Sequence, residues 1–279
     1  MAPGAAHVGP ETAGRPPEGD WLGTPFIRLE RFEPFARCVV DRPERKNALT
    51  SSMYFALRYA VDHVNADDTL AGLLITGTGD VFIPGGDLSG QDEGGWSLPG
   101  LLSMDSVPFD ALRRSRKPVV SAINGLCQGG GLMIAMLSDV AVASERATFR
   151  APELFRGIAD TNYAQILPRQ IGPARARDML FTGRVVDAAE ALDWGLVARV
   201  VAHDDLIEAS TAVLEQCSQT APDARLAVKD SFDRYYGAYD RIAMDASLRG
   251  AEALEGFLAF KERRAPEWVP PSLRRPGRL

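Results

Sequence analysis

The sequence predicts an α/β protein whose strands run roughly parallel and whose C-terminal part is helical. Two apolar runs, 73–76 and 119–123, are short and continuous, as in strands buried on both faces. Glycine-rich turns follow them, Pro84-Gly85-Gly86-Asp87 after the first and Gly129-Gly130-Gly131 after the second, and helical patterns come next. Strand, glycine turn and helix therefore recur, and beyond about Pro173 the spacing is mainly helical.

Residues 1–20 are rich in Gly, Pro and Ala and are expected to be disordered. They lack the charged and apolar regions of a secretory signal. A core is expected over 21–200, a helical region over 201–265 and a flexible Pro- and Arg-rich tail over 266–279. Residues 26–40 read as two short strands with a turn at Glu33-Pro34. The segment 51–65 places Met53, Leu57, Ala60 and Val64 at helical spacing, with Thr50 or Ser51 as N-cap. A helix over 101–114 is closed by Lys117-Pro118, 132–137 is helical, and 140–143 is a further strand. C-terminal helices are expected at 174–182, 187–194, 206–220, 222–236 and 240–263, the second opened by a cap running from Asp187 to Glu190.

The net charge of −6 argues against a nucleic-acid footprint but leaves room for a local basic pocket. No apolar stretch is long enough to span a membrane, so the cytoplasm is the expected location and no membrane partner is expected. Cys38, Cys127 and Cys217 are scattered and read as small buried hydrophobes. His7, His63 and His203 form no metal or triad pattern, and no metal site is expected.

The glycine turns carry the chemistry. Where such a turn opens a helix, free N–H groups point outward and the dipole favours negative charge. Two such groups aimed at one point make an oxyanion hole, with the amides of Gly86 and Gly130 as candidates. Close backbone packing is the alternative use of the same glycines. Neither turn has the spacing of a nucleotide phosphate loop.

These turns sit among stretches that together resemble the crotonase (enoyl-CoA hydratase/isomerase) family over about residues 24–265. They are 41–49 (DRPERKNAL), 74–79 (LITGTG), 82–88 (FIPGGDL), 117–125 (KPVVSAING), the Gly129 triplet with Ser138-Asp139, 149–153 (FRAPE), 180–183 (LFTG), 188–201 and 255–260 (EGFLAF). The resemblance implies a crotonase fold of repeated ββα units with a C-terminal helical trimerisation region, as a homotrimer or dimer of trimers. It implies an acyl-CoA substrate, with coenzyme A as acyl carrier and no separate cofactor. It assigns the two oxyanion donors to Gly86 and Gly130. Coenzyme A contacts fall on Arg45, Lys46 and Ala48, on Pro84, Gly86, Asp87 and Leu88, and on Phe260 and Arg263, the last standing where Lys is common. Solvated basic residues are the alternative reading of Arg45, Lys46 and Arg263.

Hydratases of this family use two glutamates. The first position is Met133 here, which cannot carry a proton; the second is Glu153. Asp160 falls where several double-bond isomerases and the aromatic dehalogenases of the family place a working aspartate. One carboxylate suffices for an isomerase, and an apolar pocket raises its pKa to useful values. Glu153 and Asp160 are both candidates, with a structural acid and a helix N-cap as their respective alternatives. An isomerase-type enzyme is the expected reading, ahead of a hydratase with altered acid–base residues and a non-catalytic acyl-CoA-binding protein. Thioester or carbon–carbon hydrolysis stays open on the same oxyanion hole. The stretch 89–106 is expected to shape the acyl pocket.

Overall fold

The computed structural model describes residues 17–88 and 108–274. The expectations for the N-terminal segment up to residue 16, for 89–106, for the first part of the 101–114 helix and for residues 275–279 lie outside the described residues.

Ile27–Phe32 (β1) and Phe35–Val40 (β2) form the expected hairpin, turning at Glu33-Pro34. Helix α1, Ser51–Ala66, follows; the Thr50 hydroxyl accepts the Met53 N–H at 3.2 Å and so satisfies one orphan donor of its first turn. Met53, Leu57, Ala60 and Val64 face the core, as their spacing predicts.

Three strand pairs then run in succession. Gly72–Gly77 (β3) is followed by Val81–Ile83 (β4), Val119–Ile123 (β5) by Leu126–Gln128 (β6), and Val140–Ser144 (β7) by Thr148–Arg150 (β8). The first member of each pair joins one sheet and the second member joins another. After them come helix α2 (Pro108–Arg114), α3 (Gly130–Leu137) and α4 (Thr161–Ile171), so the repeating unit is ββα. The chain continues with α5 (Pro173–Thr182), β9 (Val186–Asp187), α6 (Ala188–Trp194) and β10 (Arg199–Val201). The larger sheet has the order β1-β2-β3-β5-β7-β10 and is parallel from β2 onward; the smaller is β4-β6-β8-β9, with only β9 antiparallel. The main core lies between α1, α3, α4 and these sheets.

Helices α7 (Leu206–Ser218) and α8 (Pro222–Tyr236) follow the expected spacing. The helix expected over 240–263 is two: α9 (Arg241–Leu248) and α10 (Ala251–Glu262). Gly250 divides them, extended at ψ 163°, as the N-cap of α10. Helix α4 runs through Pro168 and ends only at Gly172, although a proline inside a helix removes a backbone donor. Its last turn survives because Leu167 and Ile171 are both buried, and that packing offsets the missing N–H.

Candidate active site

Strands β4, β6 and β8 lie side by side and parallel. The segments that leave their C-terminal ends therefore emerge together: the first glycine turn, the glycine triplet and the stretch leading to Glu153.

The first turn is anchored by a short parallel bridge. The Leu49 N–H donates to Gly85 O at 2.9 Å, and the Asp87 N–H donates to Leu49 O at 2.7 Å. Backbone groups alternate sides along an extended chain, so the Gly86 N–H between them points away from Leu49. Gly129, at φ 55°, turns the chain into α3, and Gly130 as first helical residue has no helical acceptor. Neither the Gly86 nor the Gly130 N–H has a backbone acceptor among the described residues. The turns touch: a Cβ built on Gly85, itself at φ 101°, would lie 3.5 Å from Gly129 Cα and 3.6 Å from Gly130 N.

Glu153 opens a 3-10 turn, Glu153–Arg156, directly against this pair. A Cβ on Gly129 would come within 3.2 Å of Glu153 Oε1. The other carboxylate oxygen, Oε2, is enclosed and has no hydrogen-bond partner among the described residues. Such an orphan is uncommon, because a buried acceptor without a donor costs free energy. Asp160 caps α4: its Oδ1 accepts the N–H of Asn162 at 3.0 Å and of Tyr163 at 3.2 Å. Burial pushes the Glu153 carboxyl up to about 8, and the Asp160 charge adds to it, against the pull of Arg156 and Arg150. Burial also raises Asp160 to about 6, opposed by the two N–H groups that it caps. Both carboxyls therefore hold their protons to higher pH than free ones, and ionisation of either opposes ionisation of the other.

Beside the turns opens a cleft of about 800 Å³. Arg45, Lys46 and Ala48 line it, together with Pro84, Gly86, Asp87 and Leu88 of the first glycine turn. Phe260 and Arg263 reach it from the end of α10 of the same chain. The cleft also takes in Leu126, Gln128 and Lys261, which the sequence reading did not single out. With Lys261 it gathers Arg45, Lys46 and Arg263 in a chain of net charge −6, a local field suited to phosphate. Asn47 fixes the basic loop: its Nδ2 donates to Val81 O at 2.7 Å and Thr78 O at 3.0 Å, and its Oδ1 accepts the Arg42 N–H at 2.9 Å. Arg42 Nη1 in turn donates to Asp87 Oδ2 at 2.7 Å, a buried ion pair that ties this loop to the first glycine turn.

The enoyl-CoA hydratase/isomerase family model matches residues 34–270. The chain belongs to the enoyl-CoA hydratase/isomerase family. It is 32% identical over 254 residues to a probable enoyl-CoA hydratase of Mycobacterium leprae, covering 87% of this chain and 97% of that one. It is 34% identical over 260 residues to a carnitinyl-CoA dehydratase of Salmonella arizonae, with the same coverage of 87% and 97%. Among solved structures it resembles an enoyl-CoA hydratase/isomerase from Pseudoalteromonas atlantica T6c, at TM-score 0.73 and 30% identity over 88% of this chain and 100% of that one.

Further side chains pack around the glycine turns. Met133 is 1% exposed and belongs to the main core. Tyr54, on α1, sets its hydroxyl against Gly130, and Tyr163, on α4, donates its hydroxyl to Gly129 O. Both pairings join distant parts of the sequence and carry no local signal. Lys261, the fourth cation of the cleft, was legible as a basic residue next to Phe260 at the end of α10. No group of His, Cys, Asp or Glu among the described residues could hold a metal ion, and no helix among them is long and apolar enough to cross a membrane.

Proposed function

We propose that the chain binds an acyl-CoA thioester and moves a proton through its enolate, in the manner of an isomerase. Coenzyme A serves as carrier of the substrate, with its phosphates among the cations of the cleft, and no further cofactor is needed. The observation that carries this reading is the Glu153 carboxylate, set against Gly129 with one oxygen unpartnered among the described residues, beside two outward N–H groups.

The thioester oxygen accepts from Gly86 N–H and Gly130 N–H. Glu153 takes a proton from the α-carbon of a 3-enoyl thioester; the C–H electron pair moves into the enolate, and its charge falls on the oxygen. The same carboxyl returns the proton at the γ-carbon as the double bond shifts. An oxyanion donor of this kind is typically worth about 3 kcal/mol in the transition state. Asp160 holds the neighbouring charge that keeps Glu153 basic. Met133 fills the place of the family's first hydratase glutamate with an apolar wall.

The presence of two carboxyls favours a second reading, water addition, in which one activates water and the other delivers the proton. Incubation with 2-enoyl- and 3-enoyl-CoA thioesters in D2O, read by mass spectrometry, separates them. Isomerisation moves the double bond and places deuterium at the α- or γ-carbon without gain of water. Gain of water establishes the hydratase, and no change in any thioester defeats both.

The pH profile gives a second discrimination. A one-base isomerisation gains rate as pH rises through the pair's ionisations and then levels, whereas a base-plus-acid hydration gives a bell. Asp160→Asn keeps a good N-cap and removes the charge, so the isomerase limb is expected to move to lower pH with little loss of thermal stability. An unmoved limb would remove Asp160 from the account.

The assembly is proposed to be a homotrimer or a dimer of trimers. Val228, Phe232 and Tyr235 lie exposed along one face of α8, an apolar stripe of the kind that subunit contacts cover.

A further inference from the structure

We infer that Tyr163 is a positioning residue for the oxyanion hole, acting through the Gly129–Gly130 peptide. The inference rests on the reading of the Gly130 N–H as a donor to the thioester oxygen. Tyr163 is 0% exposed in the first turn of α4, and its hydroxyl donates to the carbonyl oxygen of Gly129. That carbonyl and the Gly130 N–H belong to one planar trans peptide and point in opposite directions. Fixing one direction fixes the other. Glycines stand on both sides of this peptide, so side-chain sterics do little to hold its plane.

The Met133 N–H donates to the same oxygen at 3.1 Å, as the first helical bond of α3. The hydroxyl takes the remaining lone pair. Two donors on the carbonyl also draw electron density through the amide and make the N–H on its far side a stronger donor. Tyr163 is itself placed by Asp160, whose Oδ1 accepts the Tyr163 N–H at 3.2 Å. Asp160 therefore acts on both halves of the site: by charge on Glu153, and through Tyr163 on Gly130.

Tyr163→Phe removes the hydroxyl and keeps the ring. The probe is 2,4-hexadienoyl-CoA, a conjugated thioester whose absorption moves to the red when its carbonyl is polarised. Ile166→Val, a buried change on the same helix away from the turn, serves as the stability control. Y163F is expected to lower kcat about tenfold at unchanged KM, and the bound chromophore is expected to lose most of its red shift, while I166V keeps both. A 3-fluorotyrosine at position 163, a stronger donor, is expected to deepen the shift, and it gives the answer if the phenylalanine variant does not fold. Unchanged kcat and spectrum in Y163F, or a fluorotyrosine protein with the wild-type spectrum, overturns the inference. A wild-type protein that binds the chromophore with no red shift, or does not bind it, instead sinks the oxyanion reading of Gly130 and this inference with it.

Discussion

Glu153→Gln is expected to lower kcat about 10³-fold, within the range of a lost general base, and to stabilise the fold at alkaline pH. The two effects share one cause. The folded chain holds the Glu153 proton up to about pH 8, whereas a free glutamate releases it near 4.5. Folding is thus unpenalised below about 4.5, and stability is lost as pH climbs from there through about 8. Glutamine has the same shape and no proton to lose. The gain is expected to be on the order of 2–4 kcal/mol at pH 9, less than the full shift implies because the Glu153 and Asp160 ionisations are coupled, and to vanish near pH 4. Thermal melts of both proteins at pH 4, 7 and 9 read it. Equal melting curves at pH 9 would mean that Glu153 is an ordinary solvated acid.

Gly130→Ala carries the second large effect. Its Cβ would overlap the Tyr54 hydroxyl and lie 3.0 Å from Tyr54 Cζ, and Tyr54 is 2% exposed with no room to swing. The start of α3 must move instead and take the Gly130 N–H with it. A loss of about 10²–10³ in kcat is expected, as for removal of an oxyanion donor. Overpacking of this kind costs about 1–3 kcal/mol of stability. The pair Tyr54→Phe with Gly130→Ala relieves the nearest overlap and is expected to recover part of both losses. A Gly130→Ala enzyme with wild-type kcat would show that this N–H is not used.

Much of the candidate site was legible because backbone geometry demanded particular residues. Gly85 and Gly129 sit at positive φ, and such positions show in a sequence as conspicuous glycines after apolar runs. The strands β4, β6 and β8 did not show, since three residues each are too few for any periodicity to register. Those strands nevertheless align the two turns and Glu153, so the sequence carried the parts of the site and not their arrangement. The break at Gly250 was missed for a related reason: apolar residues keep a helical phase across it, and one glycine inside a helical pattern is tolerated. Asp160 shows the limit of reading roles by position. Its oxygen caps α4, as its place ahead of a helical run suggested, while its effect on Glu153 arises only in three dimensions. The Tyr54 and Tyr163 hydroxyls belong to the same class.

The most direct test is α-proton exchange of a saturated thioester such as butyryl-CoA in D2O, followed by mass spectrometry. Such a thioester has no double bond to move or hydrate, so deuterium uptake reports enolate formation alone. The account predicts uptake at the α-carbon catalysed by the wild-type chain and abolished in Glu153→Gln. Exchange no faster than in buffer, or undiminished in Glu153→Gln, would contradict it.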